Sequence, residues 1–442
     1  MTTLRSISRA VLVGSTALVA LLAVWGGPGG DPAVAAGVDD VVTTVAIPRE
    51  AFRLGSEARK PADKIRWYTR AIELDPNMVN ALNNRGNAYF GEGKYDEAIL
   101  DFAKAISMDP EQPRTYCNRG GAYLRKGEYD QAIRDCSKAI ELDPTLAQAY
   151  DNRALAYSKK GDTRQAIHDY TKAIEVAPRF ARAYECRGGA HYTLGDYDQA
   201  IEDLSKAIRL EPGRARTYDF RGRAYYKKND CERAIRDFTA AVERDPNLIE
   251  AYSNRGLALV RKGDYDGAIR DHTKAIELGP TGRPERLWRG WAFMNSRRFA
   301  KAVPDLVHYV KVSPGDPYGH MALYLARTRA GLSAKADLAR FRKLQGAERD
   351  GEWPTPVVRM YLGEITPNQC LAAAADKDPK RDKEKKCEAC YYIGLIYLIR
   401  GDKRTARSCF LWCLATKLFD LVEYTGAQAE SRWLDQQGAQ QP

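Results

Sequence analysis

The residues best able to do chemistry in this sequence are its nine cysteines. Four of them, Cys387, Cys390, Cys409 and Cys413, are spaced C-x2-C-x18-C-x3-C. Four thiolates can hold a structural zinc ion, but these four fall within stretches that read as continuous helix. A disulfide is the better expectation in an oxidising compartment, with Cys390 facing Cys413 and, in a second place, Cys117 facing Cys136. Nine is odd, so without an intermolecular bond at least one thiol stays free. Buried cysteines also serve simply as small apolar residues, and that alternative stays open. No metal site, cofactor or catalytic group is expected. There is no G-x-S-x-G, no H-E-x-x-H and no complete phosphate loop. Gly91-Glu92-Gly93-Lys94 resembles a fragment of such a loop, but Tyr95 follows where Ser or Thr is needed. Of five histidines, His191 and His272 fall at core-facing positions without a motif partner.

A period sets the elements that carry these residues. Pro76, Pro110, Pro144, Pro178, Pro212, Pro246, Pro280 and Pro314 are each 34 residues apart, and a fixed period of this kind marks a repeat architecture. Numbered 1–34 from Val79, the unit places Leu82, Gly86 and Tyr89 at 4, 8 and 11. Ala98, Phe102, Ala105 and Ile106 follow at 20, 24, 27 and 28. Each set is one face of a helix. Gly93 lies between them, where a chain leaving a helix takes positive φ. Pro110 ends the second helix, lacking an N–H and clashing with the preceding turn. Gly86 and Ala98 are small where the two helices touch. One such hairpin has too little core to stand alone, so copies stack.

Two ladders run through the copies. Position 7 is arginine in Arg85, Arg119, Arg153, Arg187, Arg221, Arg255 and Arg289. Position 23 is aspartate in Asp101, Asp135, Asp169, Asp203, Asp237, Asp271 and Asp305. Because guanidinium and carboxylate match in a two-pronged geometry, the expectation is one structural ion pair per hairpin rather than a row of ligand-binding arginines.

The units beginning at Val79, Pro113, Ala147, Ala181, Ala215 and Ile249 share small, tyrosine, alanine, aromatic, alanine and proline positions. This pattern resembles the tetratricopeptide repeat. The resemblance implies an all-α fold, a right-handed helical-hairpin superhelix, here with a helical C-terminal extension. It also implies a concave groove that binds proteins or peptides and does no catalysis. In the family the groove is lined by positions 2, 5, 6, 9, 12 and 13. On that template the lining includes Asn83, Asn84, Asn87, Asn118, Asn152, Arg182, Arg216, Phe220, Tyr226, Asn254, Trp288 and Trp291. Asparagine amides can pair with the backbone of an extended peptide, and the later aromatics suit an apolar anchor. Position 2 gives Arg114, Arg182 and Arg216 and position 5 gives Asp151, Glu185 and Asp219. The two positions are three residues apart on one helix face, so these charges can satisfy one another. The family's clamp for a C-terminal carboxylate is not expected, because Asn83 replaces its first lysine and Asp151 intrudes.

The remaining segments complete the plan. Arg5 and Arg9 precede a charge-free run from Ala10 to Trp25, with Val34 and Ala36 small before Gly37. This reads as a signal peptide over 1–36, too short in its apolar run for the roughly 20 residues of a span. Export to a bacterial periplasm is the expectation, with membrane contact only through that segment if it stays uncleaved. A degenerate capping hairpin follows over 37–78, then six regular repeats over 79–282 and a divergent seventh over 283–316, whose Pro304 should kink or restart its second helix. A helical region fills 317–442, with a charged loop at Asp376–Lys386 and a terminal repeat-like hairpin at 387–420.

With 29% charged and 44% hydrophobic residues, the composition is that of an ordinary globular chain. A net charge of +11 favours an anionic partner, but the mixed signs of the groove speak against nucleic acid. Met360 to Ile365, Tyr392-Ile393-Gly394 with Arg400-Gly401-Asp402, and Val422-Glu423-Tyr424 resemble the C-terminal part of envelope lipoproteins of the NlpI type. That resemblance implies an adaptor for peptidoglycan hydrolases and a processing protease. The expected function is a non-catalytic scaffold of the bacterial cell envelope. The alternative is a peptide-binding co-factor of chaperone or secretion machinery, cytosolic or signal-anchored.

Overall fold

The computed structural model describes residues 45–279, 283–346 and 349–438; the export segment expected at 1–36 lies outside them. The chain divides into two compact units, residues 1–194 and 195–442. All regular elements among the described residues are α-helices. The first unit holds α1 (Pro48–Glu57), α2 (Pro61–Leu74), α3 (Val79–Gly91), α4 (Tyr95–Met108), α5 (Pro113–Lys126), α6 (Tyr129–Leu142), α7 (Ala147–Lys159), α8 (Thr163–Val176) and α9 (Ala181–Leu194). The second opens with α10 (Tyr197–Leu210), α11 (Ala215–Lys227), α12 (Cys231–Arg244), α13 (Ile249–Lys262), α14 (Tyr265–Leu278), α15 (Arg283–Asn295) and α16 (Phe299–Val312). It continues through α17 (Pro317–Arg329), α18 (Lys335–Gln345), α19 (Thr355–Leu362), α20 (Pro367–Ala373), α21 (Pro379–Ile399), α22 (Lys403–Ala415) and α23 (Val422–Gly438).

The turn at position 15 makes the hairpin. Gly93 has φ +76° and Gly127 +83°, a left-handed conformation that costs glycine little. It lets the Lys94 N–H reach the Tyr89 carbonyl at 2.9 Å and the Gly93 N–H reach Phe90 at 3.1 Å, the paired bonds of a Schellman C-cap. Asn229 and Arg297 hold the same place at φ 62° and 61°, and the Asp230 and Arg298 N–H groups still close onto Tyr225 and Phe293. The cap survives loss of the glycine.

Inside each hairpin the small residue at 8 receives the side chain at 24. A Cβ on Gly86 would lie 2.7 Å from Phe102, one on Gly222 2.7 Å from Phe238, and one on Gly394 2.6 Å from Phe410. Interior packing leaves no slack for that carbon. At Gly256 the ring is His272, fully buried, with neither ring nitrogen hydrogen-bonded. Burial pushes its pKa down to about 4. Below the ordinary histidine range the unfolded chain takes up a proton that the folded one refuses, so this residue removes stability as pH falls from about 6.5 towards 4. Replacing His272 with Phe, the residue other copies use, should raise stability by about 1–2 kcal/mol near neutral pH. It should also flatten the acid limb in urea titrations at pH 7 and 5.

The arginine–aspartate ladder bridges the two helices. Arg85 reaches Asp101 with Nε and Nη2 at 2.8 and 2.7 Å. Arg119–Asp135, Arg153–Asp169, Arg221–Asp237, Arg255–Asp271 and Arg289–Asp305 are also ion-paired at 2.7 Å. The third arm, Nη1, donates to a hydroxyl one unit earlier: Arg153 to Ser137 at 3.0 Å, Arg221 to Ser205 at 2.9 Å and Arg289 to Thr273 at 2.9 Å. These arginines therefore tie their own hairpin and the one before it; Arg119 pairs only with Asp135, since Ala103 stands where the hydroxyl would be.

Three expectations meet the structure here. Helix α16 does not restart at Pro304 but continues through it; the carbonyl left without its bond belongs to exposed Ala300, where water can serve it. Most of the charged run from Asp376 is helix and not loop. Asp378 caps α21 by accepting from the Lys380 and Arg381 N–H groups, and Pro379 opens it. Thirdly, no disulfide joins the nine cysteines in this structure. Cys136 fills the space beside Gly120 that Phe fills in other copies, and Cys117 lies under Asn152 at 3.6 Å, so the two are unbonded. In the terminal hairpin Cys413 meets Cys387, Sγ to Sγ 3.0 Å, rather than Cys390. Cys387 precedes Gly394 by seven residues and so shares the helix face on which Phe410 packs. Among the described residues no group of His, Cys, Asp or Glu is placed to hold a metal ion, and no helix is long and apolar enough to cross a membrane.

Candidate peptide-binding face

The first helix of each hairpin presents positions 2, 5, 6, 9, 12 and 13, and the two units treat this face differently. In the first unit it is carried by α3, α5, α7 and α9. Position-6 asparagines stitch successive copies. Asn118 Nδ2 donates to Asn83 Oδ1 at 3.3 Å, and Asn152 Nδ2 donates to the Cys117 carbonyl at 3.4 Å. Asn84 Nδ2 reaches the Tyr68 hydroxyl at 3.5 Å. These amides thus spend a donor on structure. What stays for a ligand is Asn83 Nδ2, Asn118 Oδ1 and both ends of exposed Asn87. Asn152 is buried and also accepts from Gln148 at 3.0 Å.

Arg182 is engaged as well, pairing with fully buried Asp151 at 2.9 Å. Burial pushes the Asp151 carboxyl up to about 6, against the pull of Arg182 and Gln148. The position-2 and position-5 charges are therefore partly self-satisfied across neighbouring copies.

In the second unit the same stitch recurs, with Asn254 Nδ2 donating to Asp219 Oδ1 at 2.8 Å. Arg216 is exposed, and half-buried Phe220 lies under Arg223, 5.4 Å from its ring centre. Beyond these the face is covered by the chain's own C-terminal region. Tyr226 lies 3.6 Å beneath the Arg261 guanidinium, which also donates to the Tyr226 carbonyl at 3.0 Å. Lys227 and Arg261 hold Asp420 at 3.0 and 3.5 Å. Glu430 of α23 is held by Arg297 at 3.0 Å and by Arg329. Trp291 is core, 4% exposed, in one cluster with Met294, Met321, Tyr391, Ala427 and Leu434, and Trp288 packs against that cluster. Trp291, Trp288 and Tyr226 are thus not open groove residues. Tyr226 is capped by Arg261, one repeat on. For the tryptophans the sequence holds no local signal, because Tyr391, Ala427 and Leu434 of their cluster lie about 100 or more residues away.

Models of the tetratricopeptide repeat match residues 67–100, 86–127, 113–146, 152–215 and 221–283. The chain carries tetratricopeptide repeats in an all-α helical-repeat solenoid, and repeats of this kind make a protein–protein interaction scaffold. A crystal structure of MamA is 29% identical to this chain, covering 38% of it and 92% of MamA with a TM-score of 0.35. YrrB, described as a TPR protein with an unusual peptide-binding site, is 24% identical over 40% of this chain and 92% of its own, with a TM-score of 0.36. PilF of Pseudomonas aeruginosa is 21% identical over 48% of this chain and 94% of its own, with a TM-score of 0.43.

Proposed function

We propose that this chain is a non-catalytic scaffold of the bacterial cell envelope that seats partner proteins on the first-helix face of residues 45–194. The observation that carries the reading is the contrast between the two faces. Asn83, Asn87 and Asn118 keep unused amide groups in the first unit, whereas Tyr226, Trp288 and Trp291 are covered in the second. Unused donors and acceptors at repeat spacing match the backbone of an extended segment. The envelope assignment is supported by the basic, then apolar, then small-residue order of Arg5 to Ala36. In that setting the resemblance of the C-terminal segments to envelope lipoproteins gives the partners as peptidoglycan hydrolases and a processing protease.

Capture from a bacterial envelope extract tests this, using the chain and an Asn83→Ala, Asn87→Ala, Asn118→Ala variant. Wall hydrolases or a protease should be retained by the unaltered chain and depleted about tenfold on the variant, the effect of losing roughly 1.4 kcal/mol. Equal retention by both would place binding elsewhere. Capture of chaperones or secretion components instead would favour a peptide-binding co-factor.

A further inference from the structure

Position 13 closes the first helix of each hairpin, and it is a cation in four copies: Arg125 and Lys159, then Lys227 and Arg261. In each unit the two cations are 34 residues apart, on successive first helices. The second pair shows what such a pair holds. Lys227 Nζ is 3.0 Å from Asp420 Oδ2 and Arg261 Nη2 is 3.5 Å from Asp420 Oδ1. Asp420 lies in the turn before α23, with Phe419 and Leu421 on either side.

The first pair has no such occupant. Arg125 and Lys159 are exposed, and neither has an acidic group within ion-pair distance among the described residues. The neighbouring Lys126 and Lys160 take the acids at hand, Asp96 at 2.6 Å and Asp130 at 2.5 Å. Arg125 is steadied by Tyr95, 5.6 Å from its ring centre. Half-buried Leu124 and Leu155 stand at positions 12 and 9 of the same two helices.

We infer that Arg125 and Lys159 form a carboxylate-binding site, and that the segment it takes is an acidic peptide presenting Asp or Glu between apolar residues. The charge is complementary, and the chain's own second unit supplies the example of the occupant. The inference rests on the reading of this face as the partner-binding one and gives that partner its chemistry.

Fluorescence anisotropy on the full chain decides it, with an N-acetylated, C-amidated peptide of residues 416–422 as probe. Asp420 is then the probe's one carboxylate, and the Lys227–Arg261 pair of the chain is already filled. Binding should weaken with salt. It should fall about tenfold in the Arg125→Glu, Lys159→Glu chain, as expected for two exposed ion pairs lost and made repulsive. An Asp→Asn probe should lose as much, and an Asp→Lys probe should bind the reversed chain better than the unaltered one. Should circular dichroism show the reversed chain misfolded, Arg125→Gln, Lys159→Gln replaces it with the same expectation of weakened binding. Equal binding to the altered chain, equal binding of the Asn probe, or no binding to the unaltered chain would overturn the site. Envelope partners retained equally by unaltered and charge-reversed chains would also overturn it, while leaving the scaffold reading in place.

Discussion

Replacing Asp169 with Ala is expected to lower the unfolding free energy by about 3 kcal/mol, near the bottom of the range for breaking a buried pair. The Asp169 side chain is only 2% exposed and accepts from Arg153 at 2.7 and 2.8 Å. Without it, a guanidinium that is itself largely buried keeps one bond, to Ser137 at 3.0 Å. A charge left in that position has lost most of its water and keeps only this hydroxyl and the Tyr150 ring in return. The effect should spread beyond one hairpin, because the same arginine also ties the preceding unit. In a stack whose stability is a sum of unit and interface terms, the variant should show a lower urea midpoint and a shallower slope. Replacing Asp169 and Arg153 together by Leu and Met should recover most of the loss, since an apolar pair of similar volume strands no charge. A single-variant loss below about 1 kcal/mol would mean the ladder behaves like exposed pairs.

The other large effect is a fall in stability as pH rises from about 5 to 8, centred on Glu423. This residue is 5% exposed. Burial, and after it the charge of Glu388, pushes its carboxyl up to about 8. The Tyr392 hydroxyl donates to it at 2.9 Å. Glu388 is raised in the same direction by burial, though Trp353 Nε1 and the Tyr318 hydroxyl donate to it at 2.8 and 2.9 Å. Between the ordinary carboxylate range and about pH 8 the folded chain keeps a proton that the unfolded chain has released. Stability therefore declines as pH rises through that window. Glu423→Gln keeps the shape and the acceptor for Tyr392 while removing the charge. It should be more stable than the parent by about 2–4 kcal/mol at pH 8, with little difference at pH 5. Urea titrations of both chains at the two pH values test this. Parallel pH dependences would show that the Glu423 carboxyl ionises freely in the folded protein.

Much of the fold is legible in the chain because its interactions are local or one repeat apart. The 34-residue period, the turn at position 15 and the pairing of position 7 with position 23 need only helix geometry and a hairpin. The small residues at 8 and 20 meet as the sequence implies, with Gly120 against the Ala132 backbone; what the sequence did not show is the side chain that fills the gap. The structure shows the ring at 24 filling that space, because a large side chain reaches past the alanine to the gap.

The face was harder to read. Its asparagines fall on the family's template, but their bonds to the copy before them appear only once the hairpins are stacked. Cys387 rather than Cys390 meets Cys413 because helix phase, not proximity in sequence, chooses the neighbour. Arg125 and Lys159 gave no signal of their own; their meaning comes from Lys227 and Arg261 holding Asp420, a contact spanning 159 residues from Arg261.

The sequence by itself determined the all-α repeat, its hairpins and its ion-pair ladder, since a periodic chain encodes contacts between near neighbours. Only the tertiary structure decided which stretches of the binding face are covered and which stay exposed. That depends on where a distant, non-repeating segment folds back, and no period records it.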